Sequence, residues 1–174
     1  MIDALQMMHL IKSSLEKLGL KYASHDAMML VYRTGLVESK YKYLSQKGSD
    51  IARGFWQCEP WVAVSLCKDY LQYRDSLMKK VADVCYLDWK YFTDPTEEDW
   101  KQILTTNLTA GIILCRLHYW RVPKPLPSSL EEQARYWKNW YNTAKGAGTT
   151  EHFQEIVIKL SFGYSRFNIL AVLL

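Results

Sequence analysis

Hydrophobic residues recur at helical spacing along most of the chain. Met8, Ile11, Leu15 and Leu18 lie three or four positions apart, so they would share one face of an amphipathic helix over residues 3–18. Similar spacing continues in later segments, which polar, proline-containing or glycine-containing stretches separate. The pattern predicts a mainly α-helical fold.

Capping residues indicate where the other helices begin. Ser24 suits the N-cap of a helix that we expect to run through Val37. Pro60 is expected at the first position of a helix reaching about Tyr73, and Thr96 precedes three acidic residues that favour a helix start. The remaining helices are predicted over 76–87, over about 105–119, from Ser128 or Ser129 to about Asn142, and from about Thr150.

Two segments lack this spacing. Residues 39–57 combine polar residues, glycines and aromatics, and we expect a loop or a short hairpin there. Residues 162–174 are apolar, and their hydrophobic positions follow neither helical nor strand spacing. This segment could form a packed strand, a docked tail or an assembly contact. We therefore divide the chain into a folded domain over 1–161 and an apolar C-terminal tail of unknown role over 162–174.

The composition fits a single folded domain. Of the 174 residues, 49% are hydrophobic and 23% are charged, which is enough apolar surface for a core. No stretch approaches the roughly 20 apolar residues that span a bilayer, so we expect no membrane span. The net charge of +4 indicates an ordinary basic surface or a weak preference for anionic partners such as cell-wall polymers. Without a long Lys/Arg run, we expect no nucleic-acid partner.

The four cysteines do not form a metal-binding pattern. Cys58, Cys67, Cys85 and Cys115 contain no CxxC pair and have no histidine at ligand spacing, so we expect neither a metal nor an organic cofactor. The last three lie among apolar residues and are expected to be buried thiols, although a disulfide remains open.

Three separated segments carry a combined signal. The first is Leu36–Ser39, a Glu-Ser pair at the end of a predicted helix. The second runs from Gly48 to Pro60 and reads Gly-Phe-Trp-Gln-Cys-Glu-Pro over 54–60, and the third is Trp140–Asn142, with glycines shortly after it. In this order they resemble the goose-type lysozyme and lytic transglycosylase superfamily. Phe-Trp stands for Leu-Met in that family's Gly-Leu-Met-Gln-x-x-Pro signature, and a tryptophan replaces the usual alanine before Tyr-Asn.

The resemblance implies a lysozyme-like fold in which a short loop or hairpin region follows a catalytic glutamate. It also implies an enzyme that cleaves the β-1,4 bond between N-acetylmuramic acid and N-acetylglucosamine in peptidoglycan. Glu38 would be the catalytic acid. The implied substrate-binding residues are Ser39, Phe55, Trp56, Gln57 and Tyr141.

The residues around Glu38 agree with a proton donor. Glycoside cleavage needs a carboxylic acid that stays protonated near neutral pH, and therefore a raised pKa. Tyr41, Tyr43, Phe55 and Trp56 are available to desolvate Glu38, and a position near a helix C-terminus would raise its pKa further. From the Glu-Ser pair alone, a solvated glutamate at a helix end is the simpler interpretation.

A second carboxylate would decide the chemistry. Asp50 and Glu59 are the possible second acids, as in a goose-type hydrolase that positions a water; an ordinary turn or helix-start role is open for each. A lytic transglycosylase needs one carboxyl group, because the substrate's own acetamido oxygen assists departure and the muramic 6-hydroxyl closes an anhydro ring. We expect the transglycosylase, which the matches around Gln57 and Tyr141 favour slightly.

The expected partner is the glycan strand of peptidoglycan. The first residues, Met1-Ile2-Asp3-Ala4, lack the basic region and apolar run of a secretory signal. Together with the resemblance, this suggests a bacteriophage endolysin, released from the host cytoplasm, or an enzyme carried in the virion. A non-enzymatic module that binds glycan or forms part of a virion, assembling through the tail, is the alternative.

Overall fold

The structure is a computed structural model that describes residues 2–142 and 146–162, with the backbone alone at 161 and 162. This part of the chain is mainly α-helical, as predicted, and contains two isolated β-bridges rather than strands. The tail predicted over 162–174 lies outside it, except that Phe162 ends the last helix. The α-helices are α1 (Ala4–Leu18), α2 (His25–Ser39), α3 (Pro60–Asp69), α4 (Asp75–Cys85), α5 (Lys90–Thr93), α6 (Glu97–Thr106), α7 (Leu108–Trp120), α8 (Leu130–Trp137) and α9 (Thr150–Phe162).

The predicted N-caps form the expected hydrogen bonds. The Ser24 hydroxyl accepts from the backbone N–H of Ala27 at the start of α2, and Thr96 caps α6 in the same way. Ser129 caps α8 by accepting from the backbone N–H of Glu132 and donating to that residue's carboxylate. Each side chain satisfies an N–H that has no partner within its helix.

The helix predicted from about Thr105 to Tyr119 is α7, which begins three residues later, at Leu108, directly after α6. Asn107 ends α6 and caps α7: its side chain accepts from the Ala110 backbone N–H at 2.9 Å and donates to the Cys85 carbonyl at 2.8 Å. The helix begun by Pro60 ends earlier than predicted, at Asp69, and a 3-10 turn covers Leu71–Tyr73.

Helix α7 lies at the centre of the packing. Nearly every residue from Ala110 to Leu117 is buried, which a helix surrounded by others requires. It contacts α1, α2, α4 and α6, while α9 packs against both α2 and α8. These last contacts bring the C-terminal part of the chain to the end of α2. No helix within the described ranges is long and apolar enough to cross a bilayer.

Residues 40–59 connect α2 to α3 as an irregular loop. Lys40 ends α2 in the left-handed conformation, and the isolated bridges join Ser45 to Arg53 and Arg53 to Cys58. Gly54 has φ +69° and lies against α6, where an added Cβ would stand 2.4 Å from the Leu104 carbonyl oxygen. Only glycine combines that φ with so close an approach, and the loop is therefore fixed against α6.

Candidate active site

A cleft of about 560 Å³ opens at the C-terminal end of α2. The 40–59 loop forms one side of it, and the segment around Asn142 and 146–148 forms another. Five of the predicted site residues line the cleft: Glu38, Ser39, Gln57, Glu59 and Tyr141. The fold therefore brings together parts of all three motifs, which lie far apart in the sequence.

Glu38 lies in the last turn of α2 and is held by a hydrogen bond. The indole Nε1 of Trp137 donates to its Oε1 at 2.8 Å. Trp137 is buried, and its ring packs on Phe153 with the ring centroids 5.2 Å apart. Gly148 leaves room for this ring, since a Cβ there would stand 2.4 Å from the Trp137 ring edge.

The pKa of Glu38 is raised to about 7, chiefly because burial disfavours the charged carboxylate. The Trp137 hydrogen bond acts in the opposite direction, because it favours the ionised form. The side chain keeps partial exposure to the cleft. A carboxyl group with these properties can give up and take back a proton near neutral pH.

Trp137 was not identified from the sequence. It is 99 positions from Glu38, and nothing local to Glu38 indicates it. The one available signal is that Trp137 lies four residues before Tyr141, so a helix through the third motif would carry both residues on one face.

Tyr141 lines the cleft, but its hydroxyl is directed to the protein. The hydroxyl donates to the Trp56 backbone carbonyl at 2.7 Å, and the ring stacks on Tyr119 with centroids 5.4 Å apart. Tyr141 lies in a π-helical turn, Lys138–Asn142, that follows α8. Such turns often occur at functional sites. These contacts fix the ring and engage the hydroxyl within the protein.

Gln57 is fixed by the turn that precedes α3. Its backbone has φ +46°, and its side-chain Nε2 donates to the Gly54 carbonyl at 2.7 Å. This bond uses the amide nitrogen within the protein and leaves the side-chain carbonyl oxygen as the acceptor for a ligand.

Ser39 satisfies the end of α2. Its hydroxyl donates to the Gly35 carbonyl at 3.2 Å and accepts from the Tyr41 backbone N–H at 3.1 Å. The residue is buried, and its hydroxyl is engaged with backbone groups at the end of the helix rather than free for a ligand.

The expectation that Phe55 and Trp56 bind substrate needs correction, because both are core residues. They are 7% and 1% exposed and do not line the cleft. The Trp56 indole donates to the Val31 carbonyl at 2.9 Å, and both rings meet Tyr41 edge to face. The tight turn at Gly54 directs them inward, behind the cleft.

The two possible second acids lie in different settings. Asp50 is exposed and forms two hydrogen bonds of 2.6 Å with Arg53, which lowers the pKa of its carboxyl. It does not line the cleft, so its expected place as a second acid needs correction. Glu59 is partly buried, lines the cleft and accepts a hydrogen bond from the indole of Trp61.

The described residues hold no group of three or more His, Cys, Asp or Glu side chains arranged to bind a metal ion. The four cysteines are free thiols, with Cys67, Cys85 and Cys115 buried and Cys58 partly buried. Burial raises the pKa of the Cys58 thiol to about 12, which makes it a poor nucleophile. The side chains that line the cleft include carboxyl, amide and aromatic groups, together with the basic groups of Lys40, Lys47 and His152.

Comparison with known proteins finds no matching family model, no matching curated protein and no matching solved structure.

Proposed function

We propose that the protein cleaves the glycan strand of peptidoglycan between N-acetylmuramic acid and N-acetylglucosamine, on a lysozyme-like arrangement of helices. The observation that carries the proposal is the Glu38 carboxyl group, held by Trp137 in an open cleft. Its pKa of about 7 keeps a large protonated fraction at neutral pH.

In the proposed reaction, Glu38 donates its proton to the glycosidic oxygen as the bond to the muramic C1 breaks. The acetamido oxygen of that sugar attacks C1 and holds the positive charge as a cyclic intermediate. The muramic 6-hydroxyl then attacks C1, and the bond between C1 and the acetamido oxygen breaks, which regenerates the neutral acetamido group. The hydroxyl gives its proton to the Glu38 carboxylate, which restores the acid as the anhydro ring closes. One carboxyl group thus serves as acid and then as base.

The other cleft residues fit the recognition of a sugar. The Gln57 carbonyl oxygen can accept from a hydroxyl or amide N–H, and the fixed ring of Tyr141 offers an apolar surface. Both are held by hydrogen bonds within the protein, so they lose little freedom when a ligand binds.

A second candidate is a hydrolase that cleaves the same bond. The observation that favours it is Glu59, a second carboxylate lining the same cleft. Glu59 would accept a proton from an attacking water while Glu38 protonates the leaving oxygen. Glu59→Gln would then abolish cleavage, whereas in the one-carboxyl reaction it would not.

The proposal is tested with suspensions of purified peptidoglycan, whose turbidity falls as strands are cut. Glu38→Gln should slow the fall by about 100-fold or more, because an amide cannot donate the proton. Glu16→Gln, at an exposed position of α1, changes charge equally and should behave as the wild type. A wild type that binds peptidoglycan without clearing it would contradict the proposal and favour a non-enzymatic module.

A further inference from the structure

A second recess, of about 420 Å³, lies between the start of α2 and the end of α7. It shares no lining residue with the cleft around Glu38. Lys21, Arg116 and Lys124 line it, together with one acidic residue, Asp26. The recess therefore has a local excess of positive charge.

Arg116 is the unusual member of this group, because it is only 2% exposed. Its Nε donates to the Tyr22 carbonyl at 2.8 Å, but its buried Nη1 has no hydrogen-bond partner among the described residues. Within the same ranges, no carboxylate forms an ion pair with it. Burying an unpaired guanidinium costs free energy. The contacts of Arg116 within the described part of the chain offset only part of that cost.

Two cationic side chains, Arg116 and Lys21, lie near the same aromatic ring, that of Trp120, beside the recess. The Arg116 guanidinium lies 4.9 Å from the centre of the Trp120 ring, and the Lys21 Nζ lies 5.9 Å from it. Each contact is favourable by itself, but the two positive charges repel each other. An anion between them would remove that repulsion.

We propose that this recess binds a phosphoryl group, with Arg116 as its buried anchor and Lys21 and Lys124 at its rim. The planar guanidinium presents donors that match phosphate oxygens. Helix α2 begins in the recess at Ser24 and Asp26, and a helix N-terminus favours an anion. Three cations and the single carboxylate of Asp26 leave two positive charges in the recess. A dianionic phosphate would neutralise both charges, whereas a carboxylate would neutralise only one.

The ligand can be free phosphate or a phosphoryl group carried by a larger molecule. Isothermal titration in a buffer without phosphate, at constant ionic strength, compares inorganic phosphate with glycerol 3-phosphate. Acetate serves as the carboxylate comparison. Tighter binding of glycerol 3-phosphate than of inorganic phosphate would identify a phosphate ester as the preferred source, and equal binding would identify the free ion.

Charge-changing variants distinguish phosphate binding in the recess from attraction to general surface charge. Lys21→Gln combined with Lys124→Gln should weaken phosphate binding at least about fivefold, whereas Lys68→Gln with Lys159→Gln, an equal change at two other exposed positions, should leave it unchanged. Asp26→Asn, which removes the opposing carboxylate, should tighten binding about twofold. Wild-type heat no greater with phosphate than with acetate, or equal weakening in both double variants, would overturn the proposal. Because the lysines are exposed, this outcome does not depend on whether an Arg116 variant folds.

Discussion

Two opposing influences set the properties of Glu38. Burial favours the neutral acid, and the Trp137 hydrogen bond favours the carboxylate. Burial dominates, because the pKa rises from 4.5 to about 7. Perturbed pKa values are common at functional sites, and this shift has consequences that can be measured without any substrate.

The raised pKa of Glu38 predicts that the free energy of unfolding depends on pH. Because the folded protein holds the Glu38 proton more tightly than the unfolded chain, stability should fall as the pH rises from about 4.5 to about 7. Glu38→Gln removes this cost while its amide oxygen can still accept from Trp137. Partial exposure of Glu38 reduces this cost. Glu38→Gln should therefore be more stable than the wild type by about 2 kcal/mol at pH 8, and nearly equal to it at pH 4.

Urea unfolding at the two pH values measures this difference. Glu16→Gln, at an exposed site, should show no comparable change. An advantage of Glu38→Gln that is the same at pH 4 and pH 8 would mean that the carboxyl group is not held protonated by the fold.

Trp137 is expected to act as a positioning residue for Glu38. Trp137→Phe keeps an aromatic ring against Phe153 but removes the N–H, so the pKa of Glu38 should rise further and the alkaline limb of the activity profile should move to higher pH. The loss of orientation should lower kcat about tenfold. Trp100→Phe is the matched control, because its buried indole donates to the Tyr91 carbonyl and has no contact with the cleft. If the alkaline limb of the Trp137→Phe activity profile stays at the wild-type pH, Trp137 does not act as a positioning residue.

At the residue scale, the sequence identified five cleft residues that lie within the motifs: Glu38, Ser39, Gln57, Glu59 and Tyr141. It placed Phe55 and Trp56 on the wrong side of the loop, since large aromatics suit a sugar-binding surface and a core equally. It did not identify Trp137, because a hydrogen bond between residues 99 positions apart leaves no local pattern.

At the scale of elements, the loop at 40–59 depends on its contact with α6. Gly54 provides that contact through its positive φ and the approach of its Cα to the Leu104 carbonyl. The loop carries Gln57 and leads to Glu59, so a shift of Gly54 would displace both residues relative to Glu38. The geometry of this side of the cleft is therefore tied to one backbone position.

Gly54→Ala should destabilise the protein by about 2–4 kcal/mol, since it combines a strained φ with an overlap against backbone. Gly48→Ala is a matched control in the same loop: its φ is +88°, but no atom of the described residues lies within 4 Å of the added Cβ. It should cost only about 1 kcal/mol. Equal losses in the two variants, measured by urea unfolding, would show that the contact with Leu104 has no effect.

The helix boundaries show which local signals were sufficient. Ser24 and Thr96 were correctly predicted as caps because a side-chain oxygen before an amphipathic run has a direct physical role. Of the two serines predicted to start α8, Ser128 and Ser129, the cap is Ser129. The boundary between α6 and α7 lies at Asn107, two residues after the predicted start near Thr105. Asn107 caps α7 through a local hydrogen bond, and its second hydrogen bond, to the Cys85 carbonyl, is a tertiary contact that the sequence does not indicate.

At the scale of the whole molecule, amphipathic spacing predicted the mainly helical class but not the arrangement of helices. A hydrophobic face indicates that a side is buried and does not identify the helix against it. The packing of α9 on α2 and α8 is what brings Trp137 to Glu38. The cleft and the basic recess are separate features of this arrangement, so a protein that fails to bind phosphate could still cleave glycan.

Mass spectrometry of the fragments released from purified peptidoglycan tests the central proposal most directly. The wild type should release disaccharide-peptides cut between N-acetylmuramic acid and N-acetylglucosamine and ending in anhydro sugars, and Glu38→Gln should release almost none. Reducing ends instead would assign the cleavage to water and favour the reaction that uses Glu59. If wild-type samples contain no cut glycan strands, or the Glu38→Gln samples contain equal amounts, Glu38 is not the acid of a glycan-cleaving enzyme.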